Sequence, residues 1–270
     1  MYKLLLVSDQ EEVLNTFEQI QNWEYNGFRK PHIRFDAAGA KDSLSKHHAD
    51  GLVMALSPEK EHELMVWLRK EYPLLPVCEG GRTTEEARAY LGELEALLNW
   101  LRADFSSDQN NEQDMLIRCR RHFFRNLVDE RKMTCGELKR GMLLRRSRMD
   151  PNAPCVLMKL QIQAEDENQT AGILQDQEHQ LEKSLFRSFG GDVQGFHVLP
   201  LVTKSGGVYV LAGHLRGNQE EDGTAEELMS VLENWIREGI VHAEEYQGLR
   251  LNVAETEVLP SIYALCSDYR

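Results

Sequence analysis

Over roughly the first hundred residues, short apolar runs alternate with segments of helical spacing, the pattern of a parallel α/β sheet. Residues 3–7 read as a first strand, 32–36 as a second, 51–56 as a third and 76–78 as a brief fourth. The third is a nearly continuous apolar run, as a strand buried on both faces requires. Between the strands, helical spacing predicts a helix from about Ser8 and Asp9 onward (Val13, Phe17, Ile20), and others over 40–47, 59–72 and 83–102. Asp9 with Glu12 three residues later has the form of a capping box, so the expected role of Asp9 is to cap the first helix.

Residues 106–111 are polar throughout and mark the best domain boundary. A strong helix follows, with Leu116, Ile117, Phe123, Phe124, Leu127 and Val128 in a wide apolar stripe. Such a stripe suits either a helix packed on its own domain or a dimerising signalling helix. Beyond a loop at 149–154, residues 155–163 alternate as a strand, 175–189 as a helix, and 193–202 with 208–215 as a hairpin joined by Thr203-Lys204-Ser205-Gly206-Gly207. A long helix at 225–246, a strand at 249–254 and a terminal helix at 259–268 complete the chain. The order β-α-β-β-α-β of the first six of these elements is ferredoxin-like. The expected division is 1–105, a linking helix 106–130, and 131–270.

Composition narrows the function. The chain has 270 residues and a formal net charge of −13, so as a whole it lacks the basic footprint nucleic acid requires. No apolar run approaches the ~20 residues of a membrane span. The five cysteines are scattered, without a C-x-x-C pair, which argues for reduced, structural thiols in a cytosolic protein and against a disulfide framework or a zinc site. One stretch, 118–148, is basic, with 11 Lys/Arg against 3 Asp/Glu. Its plainer account is a solvated helical face or pairing with acidic patches such as Glu220-Glu221-Asp222. Gly80-Gly81-Arg82-Thr83-Thr84 precedes a helix but lacks Walker spacing and its lysine, so as a phosphate loop it is weak.

Met1-Tyr2-Lys3-Leu4-Leu5-Leu6-Val7, Trp23-Glu24-Tyr25-Asn26-Gly27-Phe28 and Ala49-Asp50-Gly51-Leu52-Val53-Met54-Ala55-Leu56 resemble the receiver domain of AraC-type bacterial response regulators. The resemblance implies a flavodoxin-like domain, and here the last strand is missing, because 90–100 is too short and too helical to hold it. A working receiver holds Mg²⁺ on acidic residues after its first strand and on an aspartate ending its third, which is also the phosphoryl acceptor. At the matching positions stand Ser8, Asp9 and Ala55, so no phosphorylation and no metal are expected.

The Arg-rich helix (Arg118, Arg120, Arg121, Arg125), the hairpin and the closing strand and helix resemble the degenerate GGDEF-like middle region of the same regulators. A cyclase places carboxylates at the end of its first strand and in the hairpin turn to bind two metals. Here those positions are Gln161, Gln163, Gly207 and Val208; the literal Gly190-Gly191-Asp192 precedes the hairpin and reads as a loop. The combined expectation is an α/β protein with no catalytic, cofactor or metal site. It would act as a signalling or transcription regulator through a homodimer or another signalling protein. The other reading is a small-molecule or nucleotide sensor using the GGDEF-like cleft. In the resembling family a helix-turn-helix region follows and binds DNA, so DNA is an expected partner only where such a region is present.

Overall fold

The computed structural model describes residues 1–103, 112–163, 178–216 and 224–269. The chain divides into two compact units, Met1–Arg120 with Arg140–Ser147, and Arg121–Lys139 with Arg148–Arg270. The expected linker therefore does not stand apart: the helix α5, Glu112–Glu130, passes from one unit to the other at residue 120, and the polar stretch 106–111 lies outside the described residues.

In the first unit, β1 (Leu4–Ser8), β2 (His32–Arg34), β3 (Gly51–Ala55) and β4 (Val77–Glu79) form a parallel sheet in the order β2-β1-β3-β4. Side chains alternate between two cores, as strand geometry demands. Leu4, Leu6, Val53 and Cys78 pack with Val13 and Phe17 of α1 (Glu11–Gln19) and with Ala87, Leu91 and Leu94 of α4 (Thr84–Ala103). Leu5, Val7, Leu52, Met54 and Val77 pack with Ala37, Ala40 and Leu44 of α2 (Ala37–Lys46) and with Leu64 and Leu68 of α3 (Pro58–Glu71). Burial of both faces is why these strands read as apolar runs; each such side chain contributes about 1.5–3 kcal/mol.

Local chemistry sets the helix starts. Asp36 Oδ1 accepts the Gly39 N–H at 2.6 Å and begins α2 three residues earlier than the spacing alone indicates. At α4, Thr83 Oγ1 accepts the Glu86 N–H at 3.2 Å, and Glu86 Oε2 accepts N–H groups of Arg82 at 3.0 Å and Thr83 at 3.4 Å. The Trp-Glu-x-x-Gly-Phe stretch is a 3₁₀ turn, Trp23–Asn26, ended by Gly27 at φ +74°, which seats Phe28 fully buried beside Tyr2.

In the second unit, β5 (Cys155–Ile162), β6 (Gly191–Val193), β7 (Phe196–Val202), β8 (Val208–His214) and β9 (Leu251–Leu259) form an antiparallel sheet in the order β6-β7-β8-β5-β9. One face, including Val156, Met158, Val198 and Val210, packs on Leu185 and Phe189 of α7 (Glu178–Phe189) and on Leu228, Leu232 and Ile236 of α8 (Ala225–Gln247). The opposite face is also buried, through Cys155, Leu157, Leu199, Leu201 and Leu211. Pro200 is tolerated within β7 because β6 pairs only as far as Val198. Thr224 and Glu227 form a capping box at the start of α8, and Gly248, at φ +67°, ends it.

Two expectations are corrected, and one helix was not expected. Residues 259–268 are not a helix: β9 pairs with β5 as far as Leu259, Pro260 follows, and the i, i+3 spacing of Ile262 and Leu265 is met by one 3₁₀ turn, Ile262–Leu265. Gly190-Gly191-Asp192 is not wholly a loop, since Gly191–Val193 is the edge strand β6. Helix α6, Cys135–Leu144, has no counterpart in the sequence reading, its apolar residues being hidden among arginines and lysines.

Candidate functional site

The carboxyl ends of parallel strands are where α/β proteins place their chemistry. β1 and β3 are in register there, Ser8 opposite Ala55, and the Asp9 N–H donates to the Ala55 carbonyl at 3.3 Å. Ser8 is fully buried, and its Oγ accepts the Gln10 N–H at 3.1 Å in a local turn. Asp9 does not cap α1, whose start has no side-chain cap. Instead its Oδ2 accepts from Lys60 Nζ of α3 at 2.8 Å, which holds the Asp9 carboxyl below its usual value and the Lys60 ammonium above its own. The loop after β4 closes over the Ala55 methyl: a Cβ on Gly80 would stand 2.9 Å from that of Ala55 and 2.8 Å from Val13 Cγ1. One paired carboxylate, one hydroxyl engaged in its own turn and one methyl do not fit a Mg²⁺ site, which needs several oxygen ligands. Within Gly80–Thr84, the Arg82 and Thr83 N–H groups are taken by Glu86, and the Gly80 N–H by the Met54 carbonyl at 3.0 Å.

At the second sheet, Leu160 pairs with Val208 next to the hairpin turn, and Gln161 and Gln163 lie at the same end of β5. Gln161 and Gln163 are exposed, and Val208 is buried in the core. The turn is held by its own atoms and by α5. Gly207 N–H donates to Thr203 Oγ1 at 2.8 Å, Gly206 lies at φ +81°, and Asp129 Oδ2 accepts the Lys204 N–H at 2.8 Å. Lys204 Nζ lies 3.3 Å from Glu130. The acidic end of α5 thus occupies this hairpin, and sequence reading gave no sign of that contact. Asp192 of the Gly-Gly-Asp stretch is paired with Arg148 and with His197 Nδ1, the latter at 2.7 Å.

The apolar stripe of α5 is spent within the chain: Leu116, Phe123, Phe124 and Leu127 are all buried. As a dimer surface these residues are therefore corrected to core. The basic stretch is solvated only in part: Arg131, Lys132, Lys139 and Arg148 are exposed, with Arg131 paired to Glu257 and Arg148 to Asp192. Arg121 and Arg146 are buried, Arg121 lies over the Phe186 ring, and Arg120 Nε donates to the Arg145 carbonyl at 2.7 Å. Burial lowers the Arg145 pKa. The Glu220–Asp222 patch falls outside the described residues.

Two features were not anticipated. The first unit contains a cavity of about 450 Å³ at the amino ends of its strands, lined by Tyr2, Asp50, Tyr72, Leu98, Arg102 and Leu116 among others. Tyr2 OH donates to Asn99 Oδ1 at 2.7 Å, and the Arg102 guanidinium stacks 4.2 Å over the Tyr2 ring. In the second unit, two of the five scattered cysteines, Cys135 and Cys266, meet beside Asp268. No described helix is long and apolar enough to cross a membrane. No protein-family model matches the chain, and no curated protein matches it in sequence.

Proposed function

We propose that this chain is a non-catalytic signal-transduction protein, a pseudo-receiver joined to a degenerate GGDEF-like domain, acting through contact with a second copy or another signalling protein. The observation that carries the reading is the edge formed by Ser8, Asp9 and Ala55, where the only carboxylate of the three is already engaged by Lys60. The strand order β2-β1-β3-β4 supports a flavodoxin-like first unit, with the fifth strand of that order missing among the described residues. The order β9-β5-β8-β7, with helices α7 and α8 on one face, supports a ferredoxin-like second unit carrying β6 as an added edge strand. Gln161, Gln163 and Gly207 supply no carboxylate at the positions where a cyclase holds its metals. Together with the receiver-like motifs, these features favour a regulator of the AraC-type response-regulator kind.

The test is incubation with acetyl phosphate and Mg²⁺ followed by intact-mass measurement. The expected spectrum is unchanged. Gain of one phosphoryl group, abolished by Asp9→Asn or Asp50→Asn, overturns the proposal.

A second reading, small-molecule sensing, draws on the cavity of the first unit rather than the GGDEF-like cleft, whose hairpin Asp129 already holds. The cavity joins apolar walls to a few polar groups at Asp50 and Arg102, the usual composition of a ligand pocket. A thermal-shift screen with nucleotides and sugars separates the two readings. A raised midpoint that Arg102→Ala removes would favour sensing.

A further inference from the structure

We infer that Cys135, Cys266 and Asp268 form a binding site for a thiophilic divalent cation of the zinc type. Their ligand atoms, two Sγ and one carboxylate oxygen, all lie within 4.8 Å of one another. Two thiolates and a carboxylate are a zinc donor set. Three protein ligands leave the fourth tetrahedral position to water or an incoming group.

The ligands come from segments far apart in sequence, and the fold clamps those segments together. Ser267 N–H donates to the Met133 carbonyl at 3.0 Å, and Ser267 Oγ donates to the Lys132 carbonyl at 3.0 Å. The Cys135 N–H donates to Asp268 Oδ1 at 2.7 Å. Cys135 is the first residue of α6, whose start is set by Thr134 and Glu137: Glu137 Oε2 accepts the Thr134 N–H at 2.8 Å, and Thr134 Oγ1 accepts the Glu137 N–H at 3.2 Å. The ligands therefore rest on a hydrogen-bonded frame in which an ion needs little rearrangement, and backbone order of this kind supports metal sites generally.

The surroundings are also right for a cation. Cys266 is buried, Cys135 half-buried and Asp268 exposed, so the cluster has one open side. The Asp268 carboxylate stands beside both sulfurs, so an incoming dication meets negative charge there. On binding, each Cys gives its proton to solvent: M²⁺ joins two S⁻ and one carboxylate, two H⁺ leave, and no electron moves.

The experiment uses the full chain, reduced with a phosphine and stripped with a chelator, then titrated with Co²⁺ and back-titrated with Zn²⁺. The expected result is a thiolate-to-cobalt charge-transfer band with tetrahedral visible absorption, at one ion per chain, bleached by zinc. Cys135→Ser and Cys266→Ser each weaken binding by more than ~100-fold, beyond the cost of losing a supporting contact, and Asp268→Asn weakens it by about tenfold. Cys155→Ser, buried elsewhere, leaves the band in place. Circular dichroism checks that each variant is folded; if Cys266→Ser is not, the exposed Asp268→Asn and the half-buried Cys135→Ser carry the test. Absence of the charge-transfer band in folded, reduced protein overturns the inference. So does a band that persists in Cys135→Ser.

Discussion

The strand ends of the two sheets are filled in different ways. At the parallel sheet the residue types do it: a methyl at Ala55, a hydroxyl at Ser8 engaged in its own turn, and Asp9 turned to Lys60. At the antiparallel sheet the turn is occupied: Asp129 reaches Lys204 and Ser205, while Gln161 and Gln163 remain exposed as amides. Residue type is readable position by position. Occupation depends on a helix brought in from elsewhere in the chain. The comparison also shows what each sheet requires of its neighbours. The parallel sheet needs helices on both faces because β1 is buried along its whole length and β3 everywhere but at Ala55.

The largest effects come from the buried rings. Phe28→Ala in the first unit and Phe189→Ala in the second each lower stability by about 3–5 kcal/mol; both side chains are fully buried. Denaturant melts followed by tryptophan fluorescence, with and without Trp235→Phe, read the two separately, since Trp23, Trp67 and Trp100 lie in the first unit and Trp235 in the second. If either variant moves every probe equally, the units unfold as one body and the comparison between them fails.

Two helix glycines give opposite signs. A Cβ on Gly239 of α8 would strike the Phe189 ring and stand 2.9 Å from the Ser188 carbonyl, so Gly239→Ala costs about 1–3 kcal/mol. Gly92 of α4 is exposed with nothing within 4 Å, so Gly92→Ala stabilises by up to about 1 kcal/mol. Equal effects of the two substitutions would contradict the close approach of α7 and α8.

The smallest effects are in pH. Burial pushes the His214 imidazole below its usual value, more than Asp150 and Glu227 raise it. The unfolded chain therefore takes up its proton first, and stability falls as pH drops from about 6.5 through the folded value. His214→Gln flattens that part of the curve in the Trp235 signal. Asp9, held low by Lys60, stabilises fully above about pH 3.9, and that share is lost as pH falls through its folded value. Asp9→Asn removes only this acid limb, read from the first unit's tryptophans. Loss of the limb near pH 6 instead would mean the pairing is wrong.

Periodicity and turn chemistry alone determined most of the elements. The apolar runs of β1 and β3, the alternation of β5, the Thr203–Gly207 turn and the stripes of α4 and α8 all lie where local pattern places them, because burial of one face or two imposes that pattern directly. Ala55, Gln161 and Gln163 were legible as positions without carboxylates. What only the tertiary structure decided are the contacts between distant segments: Asp9 with Lys60 rather than its own helix, Asp129 on the hairpin, the α5 stripe taken into the core, and Cys135 beside Cys266. A side chain's partner depends on which surfaces the packed sheets bring within a few ångströms, and that is set by the summed burial of many residues rather than by spacing along the chain.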